Sequence, residues 1–305
     1  MQDAMRKIGR LVLAFAAMHA AAPASAEVPW PVALRGKVVL VNEISFRLRS
    51  AVLPSFCRHT SPALGAEFDD ITNYATRDRA AIRTVLGITD QPQVAAVAPG
   101  SPAAEAGLSQ GDDIMAIGDS PVTQLSLSDR DGRTRSDLIH DKIVDALSAG
   151  PVRLTVRHAG QENTITVAPL RLCSAHANVT TARNINAHEG GSEIAVSTGL
   201  IDFALNSNEL ALILAHEFSH SFLDHDKATS IAQRRAMERQ ADLVGAMIAR
   251  CAGYDAQVGA AFWPRFGARD AFSWLRAPTH EKPAARARNI LAALAETAPP
   301  CPLSR

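Results

Sequence analysis

Residues 206–223 (NSNELALILAHEFSHSFL) constrain this chain more than any other stretch, because they are apolar, free of glycine and proline, and carry His216 and His220 four positions apart. Asn206 and Glu209 stand at capping-box spacing, so the segment is predicted to start there and run as a buried helix. On a helix, positions i and i+4 share a face. Both imidazoles can then point at one ion, with Glu217 beside them as the base that takes a proton from water.

Two histidines do not complete a zinc site. A second helical stretch, residues 230–251, carries Glu238 and Asp242 on one face. Glu238 could ligate the metal, and Asp242, one turn on, could accept a hydrogen bond from a ligand histidine and fix its tautomer. Taken alone, the two carboxylates could instead form a solvated face with Arg234, Arg235 and Arg239. Their joint occurrence with His216, Glu217 and His220 favours the metal reading.

The order HEFSH, then ERQAD ending at Asp242, then Thr279-His280 with Arg286, resembles the M48 family of zinc metallopeptidases from about Cys173 onward. The resemblance implies a zincin-type domain with one Zn2+ per chain, held by His216, His220 and Glu238. It also implies a catalytic Glu217, with His280 and Arg286 as accessory catalytic residues near the metal. Glu281 stands where the family usually has proline, the nearest proline is Pro283, and Arg288 competes with Arg286 for the family's arginine. Zinc in such a site lowers the pKa of water and polarises a peptide carbonyl, while Glu217 takes the proton and can return it to the leaving amine. His280 or Arg286 could stabilise the developing oxyanion; alternatively His280 could occupy the open metal position and hold the enzyme latent.

Residues 192–200, after Gly190-Gly191, read as a short strand and turn: either an edge to which a substrate backbone adds, or a plain structural strand. His225 is read as a helix-terminal residue meeting the dipole, and His188 receives no role. Phe262, Trp263, Phe266, Phe272 and Trp274 concentrate a third of the chain's aromatics before His280. They should anchor that stretch in the core or form a wall beside the cleft.

Residues 86–88 (LGI), 94–108 (VAAVAPGSPAAEAGL), 111–114 (GDDI) and 117–118 (IG) resemble a bacterial PDZ domain. Residues 136–148 are predicted as its helix, and 152–156 and 164–167 as closing strands. The resemblance implies peptide capture by strand addition beside that helix, with backbone N–H groups receiving a carboxylate. Only residues 89–93 separate LGI from the next strand, which shortens the groove, and a structural or autoregulatory role stays open. The charged stretch 129–135 reads as a solvated insertion. Residues 38–53 read as a strand followed by a helix. Cys57 and Cys173 bracket the PDZ domain, whose ends should lie close, so a bridge there would clamp its root and leave Cys251 with Cys301.

Arg6, Lys7 and Arg10, an apolar run over residues 11–22 and Ala24-Ser25-Ala26 form a secretory signal, cut near Ala26. The run is too short to span a bilayer and no later segment is long enough, so the protein is expected in the periplasm or secreted. The 31 basic and 31 acidic residues leave no electrostatic footprint for nucleic acid. The architecture expected is α+β: a signal peptide (1–26), a segment packing on the protease domain (27–82), a PDZ-like β-domain (83–169) and a zinc metallopeptidase domain (170–305). The expected function is hydrolysis of peptide bonds in unfolded or extended polypeptides, as part of envelope protein quality control. The alternative is a PDZ-based peptide-binding or chaperone-like protein whose zinc site is latent or structural.

Overall fold

The structure, a computed structural model, describes residues 28–125, 134–190, 193–225, 229–269, 281–296 and 300–304. The predicted leader, most of the charged insertion, and Phe272, Trp274 and His280 lie outside the described residues. In chain order the elements are α1 (Trp30–Ser50), β1 (Thr60–Pro62), β2 (Ala66–Asp69), α2 (Arg79–Leu86), β3 (Gln93–Val97), α3 (Pro102–Glu105), β4 (Asp113–Ile117), β5 (Ser120–Pro121), α4 (Arg135–Ala149), β6 (Val152–His158) and β7 (Gln161–Val167). There follow β8 (Arg171–Cys173), β9 (His176–Thr180), β10 (Ala187–Gly190), β11 (Glu193–Ser197), α5 (Thr198–Phe203), α6 (Ser207–Leu223), α7 (Ile231–Cys251), α8 (Ala256–Gly259), α9 (Phe262–Arg269) and α10 (Pro283–Ala295).

Helix and sheet mix in an α+β arrangement built on two main cores. The larger gathers Val41, Ile44 and Leu48 of α1 with Leu210, Leu214 and Phe218 of α6, Ile248 of α7 and Ile290 of α10. Residues 38–53 were expected to open as a strand, and Val38-Val39 does favour one locally. Instead residues 38–50 lie in α1, which continues to Ser50 because Val41, Ile44 and Leu48 recur at helical spacing and bury together.

The smaller core lies under a sheet of order β2-β3-β4-β6-β7, with β5 paired to β4. Leu64 and Ala66 share it with Val94, Ile114, Leu154 and with Ile139, Ile143 and Leu147 of α4. The sheet therefore recruits chain well upstream of residue 83. β2 pairs antiparallel with β3, and its other side faces α4 across a cavity lined by Glu67, Phe68, Ser136, Asp137 and His140. The LGI segment takes a different form from the one its resemblance implies. Leu86 ends α2, and Gly87, at φ +68°, caps it with its amide donating to the Arg83 carbonyl. That left-handed turn suits glycine and spends its N–H on the helix cap. Arg135, expected in a solvated loop, is helical, and its guanidinium donates to Asp70 and to the Asp90 and Val122 carbonyls.

β1 pairs with β8 in the register Thr60↔Cys173. The Cys57–Cys173 disulfide, with Cα atoms 5.6 Å apart, closes this root, and Cys251–Cys301 ties the end of α7 to the C-terminal segment. The third sheet has the order β10-β11-β9, with β11 parallel to β9 and antiparallel to β10. The strand read as either a substrate edge or a plain structural strand, β11, is interior, paired on one side with β9 and on the other with β10, and its Ile194 and Val196 are buried. β10 is the edge that faces α6. Between the two sheets, His176 of β9 reaches Glu67 of β2 at 2.9 Å, and within its own sheet it lies 3.3 Å from Glu193 of β11.

Candidate metal centre

Helix α6 begins where its cap chemistry predicts, with the Asn206 side chain accepting from the amides of Asn208 and Glu209. The box is not reciprocal. Glu209, 1% exposed, accepts instead from the Leu205 amide and from both terminal nitrogens of Arg265. Phe218, Ser219 and Phe222 are buried, so α6 runs through the core and its polar histidine face needs polar partners.

Helix α7 supplies them. Its Gly245 allows the close approach: a Cβ there would lie 2.8 Å from the His216 amide nitrogen and 3.0 Å from the His216 Cα. The contact brings Glu238 opposite the histidines. His216 Nε2 lies 3.2 Å from His220 Nε2 and 3.4 Å from Glu238 Oε2, and His220 Nε2 lies 3.7 Å from the same oxygen. The three residues each offer one donor atom within 4.8 Å of the others. Donors about 2.0–2.1 Å from a tetrahedral zinc are about 3.3–3.4 Å apart, so the triangle has the size a zinc ion requires. Two imidazoles and one carboxylate are also a donor set suited to that metal.

Behind His216 the arrangement is fully partnered. Its Nδ1 lies 3.0 Å from Asp242 Oδ1, and Arg286 grips the same carboxylate with Nε at 2.8 Å and Nη2 at 2.6 Å. Arg286 Nη2 also comes within 3.3 Å of His216 Nδ1. Both nitrogens donate to Asp242, so His216 carries its proton on Nδ1 and leaves Nε2 for the triangle. Burial would raise the Asp242 carboxyl, but its bonds from His216 and Arg286 hold it at about 2. Burial would lower the His216 imidazole; in the metal-free protein, bonding to Asp242 and Glu238 pushes it up to about 9 instead. Arg286 is buried while Arg288 is exposed, which separates the two arginines left open by the sequence. The Arg286 guanidinium lies 3.4 Å over the Trp263 ring and is engaged by Asp242, on the far side of His216 from the donor triangle. Phe262 and Trp263 are buried, with Trp263 edge-on to His216.

Glu217 sits between the two histidines on α6, and burial pushes its carboxyl above the ordinary range against the opposing pull of the imidazoles. A carboxyl raised in this way holds a proton more readily than an ordinary glutamate, which suits a group that takes and returns one. Two partners escaped the sequence reading. His225 Nδ1 lies 3.1 Å from His220 Nδ1, and its Nε2 lies 3.2 Å from Gln240 Oε1. His225 follows Asp224, a non-glycine residue at φ +62° that caps α6 and turns the chain back beneath His220. No local spacing signals such a reversal.

Residues 162–233 match the family model of peptidase family M48, a window that includes His216, Glu217 and His220 and ends before Glu238. None of the curated proteins matches the chain. Among solved structures, the crystal structure of the HtrA3 PDZ domain bound to a phage-derived ligand (FGRWV) is 22% identical. That likeness covers 37% of this chain and 88% of that chain, with a TM-score of 0.27, too slight to carry an argument.

Proposed function

We propose that this chain is an exported zinc-dependent endopeptidase of the M48 type, with His216, His220 and Glu238 as metal ligands and Glu217 as general base. The observation that carries the reading is the triangle of 3.2, 3.4 and 3.7 Å with Glu217 alongside. Zinc held by three protein donors polarises a carbonyl and lowers the pKa of water toward neutrality. The protein's own part is to place and time the proton. Glu217 takes it from the attacking water and returns it to the leaving amine, a double duty that its raised carboxyl suits. Asp242 fixes the His216 tautomer, and Arg286 acts through Asp242, neutralising a carboxylate that would otherwise be buried alone. His280 retains the two roles its motif suggests, assisting the oxyanion or closing the site.

Extended polypeptides are the substrates this chemistry fits, and β10, the edge strand facing α6, is where their backbone would add. Two disulfides suit an oxidising compartment, and no described helix is long and apolar enough to cross a membrane. The leader and a role in envelope quality control belong to the same proposal. Peptide capture by the smaller sheet, along the β2 edge beside α4, belongs to the same proposal, with the cavity between those elements as the place for it.

The mature protein and its Glu217→Gln variant test the reading together, by zinc content and by hydrolysis of casein. Both should hold one zinc per chain and melt alike, and only the wild type should cut. Full turnover by Glu217→Gln would sink the assignment. Zinc without hydrolysis in the wild type would favour the binding-protein alternative.

A further inference from the structure

The two histidines of the triangle are supported in unlike ways. His216 is backed by a carboxylate that is itself gripped by Arg286. His220 is backed by another imidazole, which ends on an amide oxygen. We propose that His225 and Gln240 are positioning residues that set the tautomer and orientation of His220, and through it the zinc affinity of the site. The inference rests on the zinc reading above.

The proton inventory of this chain of contacts has one consistent solution. If Nε2 of His220 is to offer its lone pair to the triangle, the ring proton must sit on Nδ1. The atom 3.1 Å away is His225 Nδ1, which must then accept. The proton of His225 is thereby placed on Nε2, where Gln240 Oε1 accepts it at 3.2 Å. An amide oxygen can do nothing else, so the direction of the relay is set from its outer end: Gln240 orients His225, and His225 orients His220. The rings of His220 and His225 meet edge to face at 5.1 Å between centroids, and His225 meets the Nδ1 of His220 while Glu238 meets its Nε2. A further ligand role for His225 does not fit that placement.

Helix α7 thus carries a donor and two terminal acceptors in five residues. Glu238 enters the triangle, Gln240 ends the relay behind His220, and Asp242 stands behind His216. The backing of His216 is anionic and that of His220 is neutral. An all-carboxylate backing would place another charge beside the buried cluster, whereas the imidazole–amide relay orients the second ligand without one.

The test uses the mature protein with zinc alone as ligand, measured by competition with a chromophoric chelator. His225→Phe keeps a ring of similar size but removes the acceptor; it should lose about 10–100-fold in zinc affinity, the usual cost of deleting such a partner. His225→Asn, whose side-chain oxygen can stand where Nδ1 stood, should recover most of the loss. Gln240→Leu should also weaken binding, by less than His225→Phe. Histidine 15N NMR of the zinc-loaded protein should show His220 protonated at Nδ1 and His225 protonated at Nε2. If His225→Phe does not fold, Gln240→Leu and the NMR tautomers decide alone. Wild-type affinity in the variants, the opposite tautomers, or direct coordination by His225 would overturn the inference while leaving the zinc site standing. A wild type that binds no zinc would overturn the functional reading instead.

Discussion

Replacing Arg286 with methionine isolates what the buried cation does. Arg286 is 6% exposed, holds both oxygens of Asp242 and stacks on Trp263, and methionine would preserve much of that packing while removing the charge. Asp242 would then lie buried with only the His216 N–H as partner. Breaking one side of a buried, hydrogen-bonded pair costs about 3–5 kcal/mol. For a chain of this size that corresponds to a melting temperature lower by roughly 6–20 °C. Asp242 is held at about 2, below its unfolded range, so the pair stabilises the fold above pH ~4 and loses that contribution as pH falls toward 2. The deficit of Arg286→Met should therefore be full at pH 7 and shrink in acid. Asp242→Asn combined with Arg286→Met should be less destabilised than the sum of the two single changes, because no lone charge remains. Thermal melts of the four proteins at pH 7 and pH 3, each with zinc and with chelator, provide the measurement. A loss below about 1 kcal/mol at pH 7, with zinc affinity unchanged, would refute the claim that Arg286 acts by pairing Asp242.

The metal-free His216 imidazole, pushed up to about 9, must give up a proton when zinc binds, so apparent zinc affinity should rise about tenfold per pH unit below 9 and level off above it. The same raised value means that the imidazolium stabilises the metal-free fold below pH ~6.5 and that this contribution fades as pH climbs through 9, so melts in chelator should fall over the range where zinc binding strengthens. Gly245→Ala places a Cβ 2.8 Å from the His216 amide nitrogen; α7 must shift, and zinc affinity should fall even though no ligand has changed, as the same competition assay would reveal. Cys57→Ser with Cys173→Ser opens a loop with 116 residues of sequence separation and should cost up to roughly 4–5 kcal/mol in urea unfolding; an unchanged midpoint would show that β1 and β8 hold the root unaided.

What the sequence determined by itself is whatever lies within one or two turns of a helix. His216 and His220 were legible as a pair because helical spacing puts them on one face, with Glu217 next in sequence to His216, and Glu238 with Asp242 for the same reason. The cap at Asn206, the second helical stretch from 230 and the disulfide partners were also legible, because short polar side chains mark helix starts and paired cysteines frame a domain. The tertiary structure decided the rest. Burial, not propensity, made 38–50 helical, and a glycine cap turned LGI into the end of α2. The pairing order put β11 inside its sheet and left β10 at the edge, which no strand's own pattern specifies. Gly245 became the point where two helices touch, Arg286 rather than Arg288 reached Asp242, and His225 turned back to His220 through a left-handed residue that its sequence does not advertise. Each of these depends on a partner supplied by another element, and such partners become visible only once the backbone groups and charges of the core have found one another.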